Sequence, residues 1–247
     1  MVNLVSWLSV IWLLGIGPSE HRPIVVELFT SEGCSSCPPA DKLLAEIVKT
    51  MPDGVEIIAL SEHVDYWDGL GWRDPFSSRQ FTERQNRYAD HFGPDRVYTP
   101  QMIVDGAAEL VGSDRAHLMK ALAAARAREK AAITMAWRDS QSLDVAVSGA
   151  APASDVMLAI TEDGLSIDVK RGENAGRRLP HARVTRELVK LGQTDSAGRF
   201  SMAVIAAPKP GWKVDSLRAV VFVQTRGLGP ITGAASRLFP AADLLPR

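Results

Sequence analysis

The only two cysteines of the 247-residue chain are Cys34 and Cys37, and their position restricts what the segment around them can be. Before them lies a continuous apolar run, Ile24 to Phe29, broken only by Glu27. After them comes Ala40 to Lys49, in which Leu43, Leu44, Ile47 and Val48 recur at helical spacing. The first reads as a strand buried on both faces, the second as an amphipathic helix. A bridge between cysteines this close restricts the unfolded chain little, so stapling explains the pair poorly. Thiol exchange or metal binding remains, and no second cysteine pair exists to complete a four-sulfur zinc site.

Strand, turn, cysteines and helix, in that order, suit thiol chemistry. The thiolate is the attacking species, and a helix N-terminus favours it through the partial positive charge of its free N–H groups. On this reading Cys34 is the exposed, acidic, attacking sulfur. Cys37, one turn on, is shielded and resolves the mixed disulfide. Pro38 and Pro39 lack N–H donors, so either the first turn is kinked or the regular helix begins near Ala40.

Strand-like and helix-like segments alternate from Pro23 to about Lys130, which indicates a layered α/β unit. Val55 to Leu60 reads as a second buried strand. An insert follows, 61–96, in which Asp74-Pro75 is expected to open a helix that Gly93-Pro94 ends, with Phe81, Gln85, Tyr88 and Phe92 on one side. Met102 to Val104, Asp105-Gly106 and Glu109 to Val111 read as a hairpin. Ser113 or Asp114 can cap the helix that follows. Beyond Lys130 the pattern changes to short strands separated by Pro, Gly, Ser and Asp: 133–137, 143–147, 156–160, 184–188, 200–205 and 217–224. This spacing suits a β-rich, sandwich-like part over 131–247. The basic loop Arg171 to Arg178 within it is expected to be a solvated hairpin loop.

His63, Asp65, Tyr66, Trp67 and Asp68 directly follow the second strand, at a sheet edge where sites gather. They either wall a substrate cleft, or His63 joins Cys34 and Cys37 in holding a soft metal such as copper, or the loop caps the core.

The motif Cys34-Ser35-Ser36-Cys37, together with Val97-Tyr98-Thr99-Pro100 leading into a strand and hairpin, resembles the thioredoxin superfamily. The resemblance implies a thioredoxin-like α/β fold over 23–130, a mixed sheet flanked by helices, with Cys34 and Cys37 as catalytic residues. It also implies a cis Thr99-Pro100 bond whose Thr99 backbone lies beside Cys34 and pairs with an extended substrate. More closely, Val26 to Asp41, His63 to Asp68, Tyr98 to Gln101 and Arg171 to Asn174 are similar to an exported bacterial family, domain of unknown function 1223, over nearly the whole chain. One departure stands out. Thioredoxins bury an aspartate six residues before the first cysteine, where this chain has Leu28. Glu27 would face the other side of the strand unless a bulge intervenes, and Glu32 or a residue of the insert is left to substitute.

The apolar N-terminus, Met1 to Gly17, is short for a membrane span and suits the core of an export signal removed after Ser19, although it lacks a basic start and Pro18 obstructs an earlier cut. The expected location is the periplasm or the exterior, without a stable membrane span; anchoring by an uncleaved N-terminus is the alternative. A formal net charge of −1 with dispersed Lys and Arg provides no footprint for nucleic acid. Three functions follow. The first is a thiol–disulfide oxidoreductase for protein or peptide thiols that needs no cofactor, with Thr99, Pro100, His63, Tyr66 and Trp67 contacting substrate and a membrane-bound redox partner conceivable. The others are a copper carrier and a non-catalytic binding module.

Overall fold

The computed structural model describes residues 22–50, 55–93, 95 and 97–240; the expected export segment 1–19 lies outside them. Along the chain run β1 (Arg22–Thr30), α1 (Pro38–Thr50), β2 (Val55–His63), α2 (Arg79–Phe92), β3 (Gln101–Val104), β4 (Ala108–Val111) and α3 (Arg115–Arg126). They are followed by β5 (Ala132–Trp137), β6 (Ser142–Ser148), β7 (Asp155–Glu162), β8 (Leu165–Asp168), β9 (Arg178–His181), β10 (Val184–Gln193), β11 (Phe200–Ile205), β12 (Leu217–Gln224) and β13 (Ile231–Leu238). Among the described residues no helix is long and apolar enough to cross a membrane.

One mixed sheet of eight strands, in the order β13-β12-β7-β10-β2-β1-β3-β4, crosses the molecule. β1 and β2 are parallel through their whole length and β3 runs antiparallel to β1. Four strands of the β-rich C-terminal region extend this sheet, β10 joining β2 at Val184 and Ser61. A second sheet, β11-β6-β5, packs on one face of the extension through Leu143, Val145 and Val147 against Leu158, Leu217 and Val221.

Alternation along β1 sorts its two faces. Ile24, Val26 and Leu28 meet Leu43, Leu44 and Ile47 of α1 and Leu118 and Leu122 of α3. Val25 and Phe29 face the other way, towards Phe81 and Tyr88 of α2. Each such aliphatic side chain, fully buried, contributes about 1.5–3 kcal/mol, which fixes α1 and its N-terminal turn against β1.

Several local expectations meet the structure directly. The hairpin turns at Asp105 and Gly106, both at positive φ (49° and 61°), as a tight Asp-Gly turn requires. Asp114 caps α3 by accepting from His117 N at 3.0 Å. By contrast, helix α1 departs from its expectation: it begins at Pro38 and not near Ala40, because the first turn of a helix tolerates a missing N–H. Helix α2 starts at Arg79 under a Ser78 cap and not at Asp74-Pro75; Asp74 caps only a single turn, its Oδ1 accepting from Phe76 N (2.8 Å), while its Oδ2 meets His63 and Glu32 N. Three strands escaped the sequence reading: β8, β9 and β13.

Candidate functional site

The end of β1 and the start of α1 create the site. Cys34 N donates to Ser31 O (3.2 Å) and Cys37 N to Cys34 O (3.2 Å), which winds the four-residue turn tightly into the helix. Ala40 N and Asp41 N then bond to Cys37 O, so Cys37 is the residue from which α1 springs. Cys34 and Cys37 form a disulfide, with Cα atoms 5.5 Å apart. Since Pro38 and Pro39 have no N–H, the helix entrance is poor in donors, and the Ser36 hydroxyl lies 3.3 Å from Cys34 Sγ.

Thr99-Pro100 is a cis peptide, and Thr99 O lies 3.4 Å from Ser36 Oγ, which donates to it. Trp67 Nε1 donates to Thr99 Oγ1 at 2.9 Å. The same Trp67 packs on Gly33, where an added Cβ would fall 3.1 Å from Trp67 Cβ; glycine there lets the insert close on the cysteine turn. Tyr66 donates to Gln85 Oε1 (3.2 Å) and is 40% exposed, and Leu70 is 62% exposed. The structure therefore gathers Thr99, Pro100 and Trp67 around the cysteine turn, with Tyr66 and Leu70 on the surface of the adjoining loop.

His63 is placed differently. It is fully buried, 2.7 Å from Asp74 through Nδ1, with its ring edge-on to His181 at 4.9 Å between centroids. It belongs to a cluster that also holds Glu32 and Asp41. Glu32 accepts from Trp72 Nε1 (2.8 Å) and lies 3.1 Å from His181 Nε2, while its N–H donates to Asp74 (2.9 Å). Asp41, on the inner side of α1 and one turn past Cys37, accepts from Thr30 Oγ1 at 3.3 Å. Burial pushes the Asp41 carboxyl above its ordinary pKa, against the opposing pull of His181 and His63. Burial alone would lower the His63 pKa and raise that of Asp74, but their mutual charge and hydrogen bond reverse both, so His63 is raised and Asp74 lowered. Among the described residues no three His, Cys, Asp or Glu side chains are grouped so as to hold a metal ion.

Glu27 faces away from all of this. β1 runs without a bulge, and Glu27 points to α2, where Arg84 Nε (2.5 Å) and Tyr88 OH (2.5 Å) donate to it. Glu62 is also buried beside Arg84, at 3.7 Å, and burial next to Glu27 keeps its pKa well above normal.

Two expectations need correcting. Cys34 has no exposed surface, and although the loop between β8 and β9 joins an antiparallel pair and is exposed at residues 171–173 and 175–178, its Asn174 is fully buried. That loop lies on the cysteine turn: Asn174, fully buried, donates through Nδ2 to Glu32 O (2.8 Å) and Cys34 O (2.9 Å), and Glu173 accepts from Ser35 N (3.0 Å). Its neighbour Gly172 sits against Trp72 of the insert. Asn174, Asp74 and His181 were not singled out from sequence as site residues. The available signal was Asp41, a carboxylate at i+4 from Cys37 on the apolar side of a helix.

The chain belongs to the DUF1223 family, proteins of unknown function, whose profile matches residues 25–224. Among solved structures it is similar to a protein of Agrobacterium tumefaciens, at 28% identity and a TM-score of 0.74, over 93% of this chain and 100% of that one. It is also similar to HBP35 of Porphyromonas gingivalis, at 13% identity and a TM-score of 0.62, over 89% of this chain and 76% of that one, a likeness of fold alone. No curated protein matches.

Proposed function

We propose that this member of the DUF1223 family is an exported thiol–disulfide oxidoreductase for protein or peptide thiols, built on a thioredoxin-like part over 23–130. The observation that carries the reading is the vicinal disulfide at the entrance of α1 beside the backbone of Thr99. A pair that closes so short a loop contributes little to stability, whereas its setting suits exchange. The apolar N-terminus supports export to the periplasm or the exterior. The exposed Tyr66 and Leu70 near Trp67 and Thr99 offer an apolar surface to a peptide.

In the exchange, a substrate thiolate attacks Cys34 Sγ and the Cys34–Cys37 bond breaks, its electron pair leaving on Cys37. The second substrate thiolate then attacks the substrate sulfur of the mixed disulfide and expels Cys34. The substrate ends as a disulfide, and the protein, reduced by two electrons, carries two thiols; the reverse sequence reduces a substrate. Ser36 is positioned to donate to the Cys34 thiolate. Burial raises the pKa of Asp41, one turn from Cys37, which suits this carboxyl to exchange a proton with the departing Cys37.

The reading is tested with single cysteine variants in the exporting host. Cys37→Ser should accumulate mixed disulfides through Cys34, visible as high-mass bands that a reductant dissolves, and Cys34→Ser should accumulate few. Equal trapping by both variants, or none by either, would sink the assignment.

A further inference from the structure

The C-terminal end of α1, about 20 Å from the cysteines by helix rise, forms one wall of a cavity of about 380 Å³. Its other walls come from β2, β7, β12 and β13 and from Arg183, just ahead of β10. Inside, two arginines converge. Arg218 donates from Nη1 to Ser236 Oγ (3.2 Å), while its Nε has no hydrogen-bond partner among the described residues. Arg183, held at a positive φ of 54°, reaches Asp163 only at 3.5 Å.

Thr161 is the register partner of Arg218 on β7 and is 1% exposed, and its hydroxyl is likewise unpartnered. Thr185, directly across from it on β10, repeats the pattern. Three cross-strand neighbours thus present buried, unused hydrogen-bonding groups in a row. Such groups are ordinarily satisfied, so two of them on the wall of one cavity, Arg218 Nε and the Thr161 hydroxyl, point to a ligand. The free Nε edge of a guanidinium suits a carboxylate held in the fork of the side chain.

The charge balance narrows the class. Lys49, Arg183 and Arg218 face the cavity, but so does Glu56, which accepts from Ser236 Oγ at 2.9 Å and disfavours a second negative charge. The remaining wall is apolar, with Val48, Val55, Ile58 and Val220 among it. We propose that this cavity binds an organic monocarboxylate: the carboxylate sits on Arg218 and Arg183 with Thr161 donating to it, and the hydrocarbon body lies against Ile58 and Val220. A cavity of this size with a few convergent polar groups and an apolar part is within the range of small-molecule sites. The proposal is independent of the cysteine chemistry.

Hexanoate, hexanol and inorganic phosphate, each titrated into the full-length protein by calorimetry and followed by melting temperature, form the test. Hexanoate should bind saturably and raise the melting temperature, with hexanol and phosphate much weaker. Thr161→Val, nearly isosteric, should lower hexanoate affinity about tenfold and Arg218→Met by more, as loss of hydrogen bonds to a charged ligand implies. Cys34→Ser should bind as the parent does. Absence of saturable binding, phosphate or hexanol binding as well as hexanoate, or unchanged affinity in the correctly folded Thr161→Val variant would each overturn the proposal.

Discussion

Asn174→Ala should uncover the disulfide. The asparagine amide donates to two carbonyls of the cysteine turn, Glu32 O at 2.8 Å and Cys34 O at 2.9 Å, and its own oxygen accepts from Arg177 Nη1 at 2.8 Å. Alanine leaves both carbonyls without that donor. An orphaned buried acceptor costs about 1–3 kcal/mol, and the lower figure applies here because Ser35 and Ser36 are exposed and water can enter beside them. The loop should therefore lose about 2 kcal/mol of docking energy, which multiplies its undocked population roughly 30-fold. If attack on the buried Cys34 requires that undocking, reduction by low concentrations of dithiothreitol should accelerate by up to that factor. The melting temperature should fall by at most about 4–8 °C for a chain of this size. Glu173→Gln keeps an acceptor for Ser35 N and should leave the rate close to wild type. A variant with the expected drop in melting temperature and an unchanged reduction rate would show that the β8–β9 loop does not gate the cysteines.

The His63–Asp74 pair gives stability a pH window. The folded pKa of His63 is raised, so its contribution is complete below the ordinary value of 6.5 and is lost as pH rises through the folded value. That of Asp74 is lowered, so its contribution is complete above 3.8 and is lost as pH falls through the folded value. The pair should thus support stability most between about pH 4 and 6.5, and His63→Gln should flatten the decline in melting temperature from pH 6 to 8; an unchanged slope would contradict it. On the other face of the sheet, Arg84→Met strands the Glu27 carboxylate in the core and should cost about 3–5 kcal/mol in urea denaturation. Adding Glu27→Gln should recover part of that loss, and simple additivity of the two would refute the buried-pair account.

The sequence displays the strand, turn and helix around the cysteines because each is a local event: an apolar run, a tight turn, a helix with a fixed apolar side. The Asp105-Gly106 hairpin and the Asp114 cap are legible for the same reason. What lies over the cysteines is not, since Glu173 and Asn174 reach the turn from about 140 residues away and nothing in a basic, glycine-bearing loop announces its docking site. Asp74 and Ser78 are equally good caps on paper. In the fold Asp74 caps only a short turn through Phe76 N, with its other oxygen on His63 and Glu32 N, and the helix itself starts after Ser78. β13 hid for a packing reason: a Cβ at Gly233 would come within 2.8 Å of Ala131 O, and the small residues that permit this approach weaken the strand signal.

The junction of β10 with β2 also bears on how the chain is made. β2 ends at His63, yet the strand that meets its outer edge, at Ser61, begins at Val184, more than a hundred residues later. At synthesis rates of about 5–20 residues per second, that edge waits roughly ten seconds for its partner. Until then its backbone N–H and C=O groups form an open template for pairing with any other chain. Delivery through a membrane while unfolded would postpone the problem, since the two segments would meet only on the far side. A fragment ending near residue 130 would keep the cysteines and their helix but lose the Ser61 junction and the strands beyond it, and it should aggregate more readily than the full chain.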